Sequence, residues 1–142
     1  MRFLKWFGIF LLVLIIVYFL GPQPSTPKYN NELPALPSDA VQLEKYIADN
    51  EAKHKLKTDN EARIIWYNDS TKEQTEYAVV YLHGFSASQE EGNPVHVDFA
   101  KKFGCNLYLA RLAEHGIDTT EPLANFTAEK FWRSAIDAYA IG

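Results

Sequence analysis

The stretch from Tyr77 to Ser88, Tyr-Ala-Val-Val-Tyr-Leu-His-Gly-Phe-Ser-Ala-Ser, constrains the fold of this chain more than any other. It begins with six apolar or aromatic residues, and a short apolar run bounded by turn residues is typical of a fully buried strand. The run stops at His83 and Gly84, and glycine lets a backbone turn tightly or approach a ligand closely. We therefore expect a central strand followed by a loop that exposes main-chain N–H groups, at the sheet edge where α/β proteins bind ligands.

The flanking segments predict helices and strands around this strand. Apolar spacing predicts a helix over 39–53, and β-branched and aromatic content predicts a strand over 62–67 that pairs antiparallel with the central strand. Asn93 and Pro94 begin a predicted helix that Gly104 ends. A strand over 106–110 then completes a βαβ unit, which builds a parallel sheet. A last helix follows Thr127, with four side chains expected towards the core: Phe131, Trp132, Ala135 and Tyr139.

The segment Tyr81-Leu-His-Gly-Phe-Ser86 resembles the oxyanion-hole loop of the α/β-hydrolase superfamily, in particular the serine aminopeptidase and monoacylglycerol-lipase-like branch. The resemblance implies that the backbone N–H of Phe85 stabilises the negative charge that develops on a substrate carbonyl oxygen. It assigns His83 and Gly84 to the support of this loop. The segment from Arg111 to Gly116 resembles the Gly-His-Gly turn of the same enzymes, with Glu114 at a position where they often have glycine.

The resemblance covers about residues 39–142 and implies the N-terminal half of an α/β-hydrolase fold, a mostly parallel sheet flanked by helices. Such enzymes carry their serine nucleophile in Gly-x-Ser-x-Gly, followed by the acid and then the histidine. This chain has no Gly-x-Ser-x-Gly. We therefore expect it to be the N-terminal part of a serine hydrolase acting on carboxylic esters or peptide-like amides, with all three triad residues beyond Gly142 and no activity of its own. The alternative is a non-catalytic, membrane-tethered binding module that uses the same loop.

One near-match to the nucleophile motif lies in the loop itself. Gly84-Phe-Ser-Ala-Ser88 reads Gly-x-Ser-x-Ser, with Ser86 at the nucleophile position. A nucleophile elbow needs a helix directly after its serine, whereas Glu90-Glu-Gly-Asn-Pro94 intervenes here. The favoured interpretation is a loop serine that bonds local backbone.

The first twenty residues favour a membrane anchor. Arg2 and Lys5 precede an uncharged apolar run that ends at Leu20, and no small-x-small cleavage site follows. The positive-inside bias predicts a single span with a cytoplasmic N-terminus and the remaining chain on the far side, periplasmic or extracellular. A signal sequence that is cleaved to release a secreted protein is the alternative.

Residues 21–37 contain five of the seven prolines and predict an extended linker between the anchor and a domain over 38–142. Packing of this segment along the domain surface is the alternative, given Tyr29, Leu33 and Leu36.

Charge and composition restrict the partners and cofactors. Without Arg2 and Lys5, 12 basic and 18 acidic side chains remain, a net charge of −6, which argues against nucleic-acid binding. The chain lacks a metal-binding motif and a glycine-rich phosphate loop, so we expect no metal and no cofactor. Cys105 is the only cysteine, which excludes an intrachain disulfide. The predicted partners are the lipid bilayer, through the N-terminal helix, and a small ester or amide substrate.

Overall fold

The computed structural model describes residues 2–23 and 26–142, which is the whole chain except Met1, Pro24 and Ser25. The four helices of the described residues are α1 (Arg2–Leu20), α2 (Ala40–Glu51), α3 (Val95–Phe103) and α4 (Ala128–Ile141). The strands are β1 (Arg63–Ile65), β2 (Ala78–Tyr81) and β3 (Asn106–Leu109), and a short 3₁₀ turn covers Gln89–Gly92.

The three strands form one sheet in the order β1-β3-β2. β2 runs parallel to β3, with Val79 opposite Leu107, whereas β1 runs antiparallel to β3, with Ile64 opposite Tyr108. Because α3 connects β2 to β3, the predicted βαβ unit is present.

The predicted mostly parallel sheet of an α/β-hydrolase half is wrong. Only one of the two strand pairings is parallel, and helix accounts for 42% of the chain against 9% for strand. The predicted antiparallel pairing of the first two strands is also wrong, because β3 lies between them. For the same reason β2 is an edge strand and not the predicted central strand. The expectation that it is fully buried is wrong as well, since no residue of β2 is buried, whereas all four residues of β3 are. The architecture is a small mixed sheet within a mainly helical chain.

Asn106, the first residue of β3, supplies a physical reason for this strand order. Its side chain accepts a hydrogen bond from the Tyr67 N–H (2.9 Å) and donates one to the Glu73 carbonyl oxygen (2.9 Å). Its own N–H donates to Thr75 Oγ1 (2.9 Å). These bonds tie the chain after β1 and the chain before β2 to the start of β3, so the buried third strand separates the first two.

The two faces of β3 bury different clusters, because successive side chains of a strand point to opposite faces. Leu107 and Leu109 pack with Ala100 of α3, while Tyr108 packs with Ile47 of α2 and with residues of α4. The sheet therefore has α3 on one face and α2 with α4 on the other.

Helix ends follow the predicted signals closely. Asp39 caps α2 by accepting from the Gln42 N–H, Thr127 Oγ1 caps α4, and Gly104 ends α3 with a left-handed φ of 66°. Asn93 does not cap α3, since its side chain donates to Glu90 instead.

The large apolar side chains of α3 and α4 do not all face the sheet. On α3, the apolar spacing of Val95, Phe99 and Phe103 places them on one face, but that face is exposed, and His96 and Ala100 are buried instead. On α4, the expectation that Trp132 and Tyr139 point towards the core is wrong, because both are exposed and Ala138 is buried. Small side chains allow both helices to lie close to the sheet.

Helix α1 is long and apolar enough to cross a membrane, with a mean hydropathy of 2.5. None of its residues is buried against the rest of the described chain. A signal sequence at an N-terminus can have the same length and hydropathy.

We expect Leu107→Ala to lower the free energy of unfolding by about 2–5 kcal/mol, because it leaves a cavity beneath a side chain that is 1% exposed. Phe99→Ala is the control, since its ring is 51% exposed, and should change the value by about 0.5 kcal/mol or less. Urea denaturation of the full chain in detergent measures both. Equal losses in the two variants would contradict this assignment of the core.

Candidate functional site

The loop after β2 lies beside the loop after β3. The two strands are parallel neighbours, so their carboxyl ends meet at one edge of the sheet, and the Ala110 N–H still donates to the Tyr81 carbonyl oxygen (3.2 Å). The first loop is residues 82–88 and the second is residues 110–117. Each contributes one buried histidine to their contact.

His83 bonds the first loop to the second. Its Nδ1–H donates to the Gly84 carbonyl oxygen (2.9 Å), which leaves Nε2 to accept from the Leu112 N–H (3.1 Å). This pair of bonds fixes the neutral tautomer with the proton on Nδ1. Burial lowers the pKa of His83, since removal from water disfavours the charged imidazolium.

His115 makes the complementary connection from the second loop. Its Nδ1–H donates to the Ala113 carbonyl oxygen (2.8 Å), and its Nε2 accepts from the Ser86 N–H (3.0 Å). The His83 and His115 rings lie 4.9 Å apart. The two imidazoles therefore cross-link the loops in both directions through backbone N–H groups.

The first loop contains a tight turn from Gly84 to Ala87. The Ala87 N–H donates to the Gly84 carbonyl oxygen (3.2 Å), and Ser86, the third residue of the turn, has a φ of 63°. A positive φ at this position alone is the type II arrangement, which usually employs glycine. Ser86 meets His115 through its backbone and not through Oγ, and its side chain is exposed.

Phe85 occupies the second position of this turn. Its ring is 65% exposed and makes edge-to-face contacts with His115 (5.6 Å) and Phe126 (5.2 Å). Among the residues that the structure describes, no acceptor takes the Phe85 N–H, whereas the N–H groups on either side, of Gly84 and Ser86, are each bonded to a side chain. Of these three N–H groups, only that of Phe85 is unpaired, and it is the group to which the resemblance assigns the oxyanion.

Glu91 also fixes the first loop, through a hydrogen bond at Gly84. Its Oε2 accepts from the Gly84 N–H (2.7 Å). Burial, followed by the negative charge of Glu91, raises the pKa of Tyr81. Because Glu91 binds the N–H of the residue before Phe85, its negative charge repels an anion that approaches the Phe85 N–H.

The second loop is fixed at its base by an ion pair. Arg111 binds Glu51 of α2 in a bidentate manner, Nε to Oε2 (2.7 Å) and Nη2 to Oε1 (3.0 Å), and both side chains are largely buried. A third bond runs from Arg111 Nη1 to the His115 carbonyl oxygen (3.2 Å). Glu114 takes a left-handed φ of 64°, the conformation that favours glycine, and pairs with Lys130 of α4 (2.7 Å).

A cavity of about 280 Å³ opens beside the turn. Its wall includes Ser86, Ser88, His115 and Lys57. Glu114 also lines this cavity, whereas Phe85 does not.

His83, Gly84 and Phe85, the three residues expected in the oxyanion loop, are consecutive, and the structure adds Glu91 and His115 to their surroundings. From the sequence His115 was expected to bond local backbone, which it does at the Ala113 carbonyl oxygen, but its bond to Ser86 of the other loop was not predicted. No role was predicted for Glu91. No group of three histidine, cysteine, aspartate or glutamate side chains suited to a metal occurs in the described ranges 2–23 and 26–142.

Comparisons with protein-family models, with curated proteins and with solved structures found no match to this chain.

We expect an NMR titration of the full chain in detergent to give His83 a pKa below the ordinary value of about 6.5, with the neutral proton on Nδ1. Since the folded state favours the neutral ring, the free energy of unfolding is highest above about pH 6.5 and falls as the pH is lowered through the folded-state pKa. His83→Gln retains an acceptor for Leu112 and does not titrate, so it should reduce this pH dependence. A His83 pKa above the ordinary value would contradict the bonding described.

Proposed function

We propose that this chain is part of a membrane-tethered serine hydrolase and that its first loop binds the oxyanion formed from a carboxylic ester or a peptide-like amide. The donor is the backbone N–H of Phe85. The observation that carries the proposal is the unpaired state of this N–H among the described residues, between two N–H groups that are both bonded.

Fixed neighbours make such a donor effective. Glu91 holds the Gly84 N–H and His115 holds the Ser86 N–H, so the peptide groups around Phe85 are oriented before any ligand arrives. A preorganised donor of this kind typically lowers an acyl-transfer barrier by about 3 kcal/mol, because no reorganisation is needed as charge develops. The resemblance of Tyr81–Ser86 to an oxyanion-hole loop supports the same role.

The proposal assigns the chain this donor and not the nucleophile. Within residues 2–23 and 26–142, no serine Oγ is hydrogen-bonded to a histidine ring. His83 and His115 both use their ring nitrogens on backbone groups, which leaves neither free as a general base.

The tether is α1. Its length and hydropathy suit a single span, and Arg2 and Lys5 at its beginning favour a cytoplasmic N-terminus with the domain on the opposite side of the membrane.

The second candidate function is a non-catalytic, membrane-tethered binding module. The absence of a serine–histidine pair from the described residues favours it. In this case the Phe85 N–H binds a small carboxylate without chemistry.

We expect the 142-residue chain in detergent to hydrolyse p-nitrophenyl butyrate no faster than buffer, because no serine Oγ among the described residues is hydrogen-bonded to a histidine ring. Ser86→Ala serves as the control. Turnover that disappears in this variant would identify Ser86 as a nucleophile and overturn the division of roles proposed here.

We expect titration with propylphosphonate, an anionic tetrahedral mimic, to shift the Phe85 amide resonance in a saturable manner. Phe85→Ala keeps the N–H and should retain binding, while Phe85→Pro removes it and should abolish the shifts at Gly84 and Ser86. Circular dichroism checks that the proline variant is folded.

Glu91→Gln provides the matched electrostatic variant. Glutamine keeps an acceptor for the Gly84 N–H but removes the charge, so phosphonate affinity should rise about fivefold, corresponding to about 1 kcal/mol, the repulsion of two unit charges about 4 Å apart in bulk water. A Phe85 amide resonance that phosphonate shifts neither in the unmodified chain nor in Glu91→Gln would remove this N–H from the binding site.

A further inference from the structure

Residues 28–32 of the proline-rich segment lie along α4. The Lys28 N–H donates to Glu129 Oε1 (3.2 Å), and Arg133 Nη1 donates to the Glu32 carbonyl oxygen (2.7 Å). This part of the segment is therefore attached to the domain and is not a free stalk.

Aromatic side chains also take part in the contact between residues 28–32 and α4. The Tyr29 ring packs on the Trp132 ring (5.4 Å), and Trp132 Nε1 donates to Asn31 Oδ1 (2.9 Å). Tyr139 lies seven residues after Trp132, two helical turns further along the same face of α4. We call these three side chains, Tyr29, Trp132 and Tyr139, the Tyr–Trp face; all three are exposed, Tyr139 to 71%.

The chain keeps this face near the end of α1. Leu20 ends α1, and the attachment to α4 begins at Lys28, eight Cα–Cα steps later. A chain of that length spans at most about 29 Å in any conformation. If α1 crosses a bilayer, as in the function proposed above, the Tyr–Trp face cannot leave the neighbourhood of the membrane surface.

The chemistry of the face matches that location. Tyrosine and tryptophan combine an apolar body with a polar tip, and they are the side chains enriched where the hydrocarbon of a bilayer meets water. The charged side chains around them carry no positive excess, since Arg133 pairs with Asp137 (2.8 Å), and Lys28 is offset by the nearby Glu32 and Glu129. Attraction to anionic lipid is therefore not the main contribution.

We propose that the Tyr–Trp face lies in the headgroup region of the bilayer as a second membrane contact next to α1. The contact holds the domain with α4 towards the membrane. It rests on the tether of the proposed function, and the experiment below separates the failure of one from the failure of the other.

The test places single tryptophan reporters in the full chain, reconstituted in nanodiscs of zwitterionic phosphatidylcholine whose acyl chains are brominated near the headgroup. Trp6→Phe with Trp66→Phe leaves Trp132 as the only reporter. We expect it to lose about half of its emission or more relative to unbrominated discs, as an indole at headgroup level does. The loss should persist in about 1 M salt, where charges are screened beyond about 3 Å.

Phe99→Trp with all three native tryptophans replaced by phenylalanine is the matched control. Residue 99 is also exposed, but it lies on α3, on the other face of the sheet, so its emission should not change. Equal quenching at residues 99 and 132 would overturn the proposal, and so would loss of the Trp132 quenching in high salt.

Trp6 as the only reporter tests the tether itself. If Trp6 is quenched and Trp132 is not, α1 is in the membrane and the inference about the Tyr–Trp face is wrong. If Trp6 is not quenched, α1 is not in the membrane, and the proposed second contact is wrong as well.

Tyr139→Ser, in the variant whose only tryptophan is Trp132, should reduce the quenching of Trp132. The substitution removes part of the Tyr–Trp face without touching the segment attached to α4. Unchanged quenching would exclude Tyr139 from the membrane contact.

Discussion

The parallel pairing of β2 with β3 is the interaction on which the candidate site depends. It brings the loop after Tyr81 next to the loop after Leu109, although about thirty residues separate them in the chain. Once the loops are adjacent, His83 and His115 can bond across the gap, each to a backbone N–H of the opposite loop. The pairing depends in turn on Asn106, whose three hydrogen bonds place β3 between the other strands.

The same bonds that order the first loop leave one donor free. Glu91 and His115 take the N–H groups on either side of Phe85 and leave its own N–H to a ligand or to water. Glu91 has two opposing effects, since its hydrogen bond fixes the loop while its charge disfavours an anion.

Aromatic side chains mark two surfaces that the sheet does not bury. On α3 the exposed large apolar side chains are Val95, Phe99 and Phe103. On α4 the exposed Trp132 contacts the segment that follows the apolar helix, which relates that surface to a membrane. The two surfaces differ in their connection to α1, because only the α4 surface binds the short segment that follows Leu20, which limits its distance from the end of α1.

The sequence by itself determined the elements that local physics controls. The presence of a strand before His83, the start of α2 near Asp39, the start of α4 after Thr127 and the Gly104 helix end could all be predicted, because each depends on neighbours within a few residues. The position and burial of that strand could not, since β2 lies at the edge of the sheet and none of its residues is buried. Strand order, the outward faces of α3 and α4, and the contacts of Glu91 and His115 could not, and the predicted mostly parallel sheet was wrong. Helical spacing shows which side chains share a face but not which face meets the sheet, and for α3 and α4 the closer packing of Ala100 and Ala138 decided this. Only the tertiary structure brings a histidine from one loop to the backbone of another, because that contact depends on which strands are neighbours.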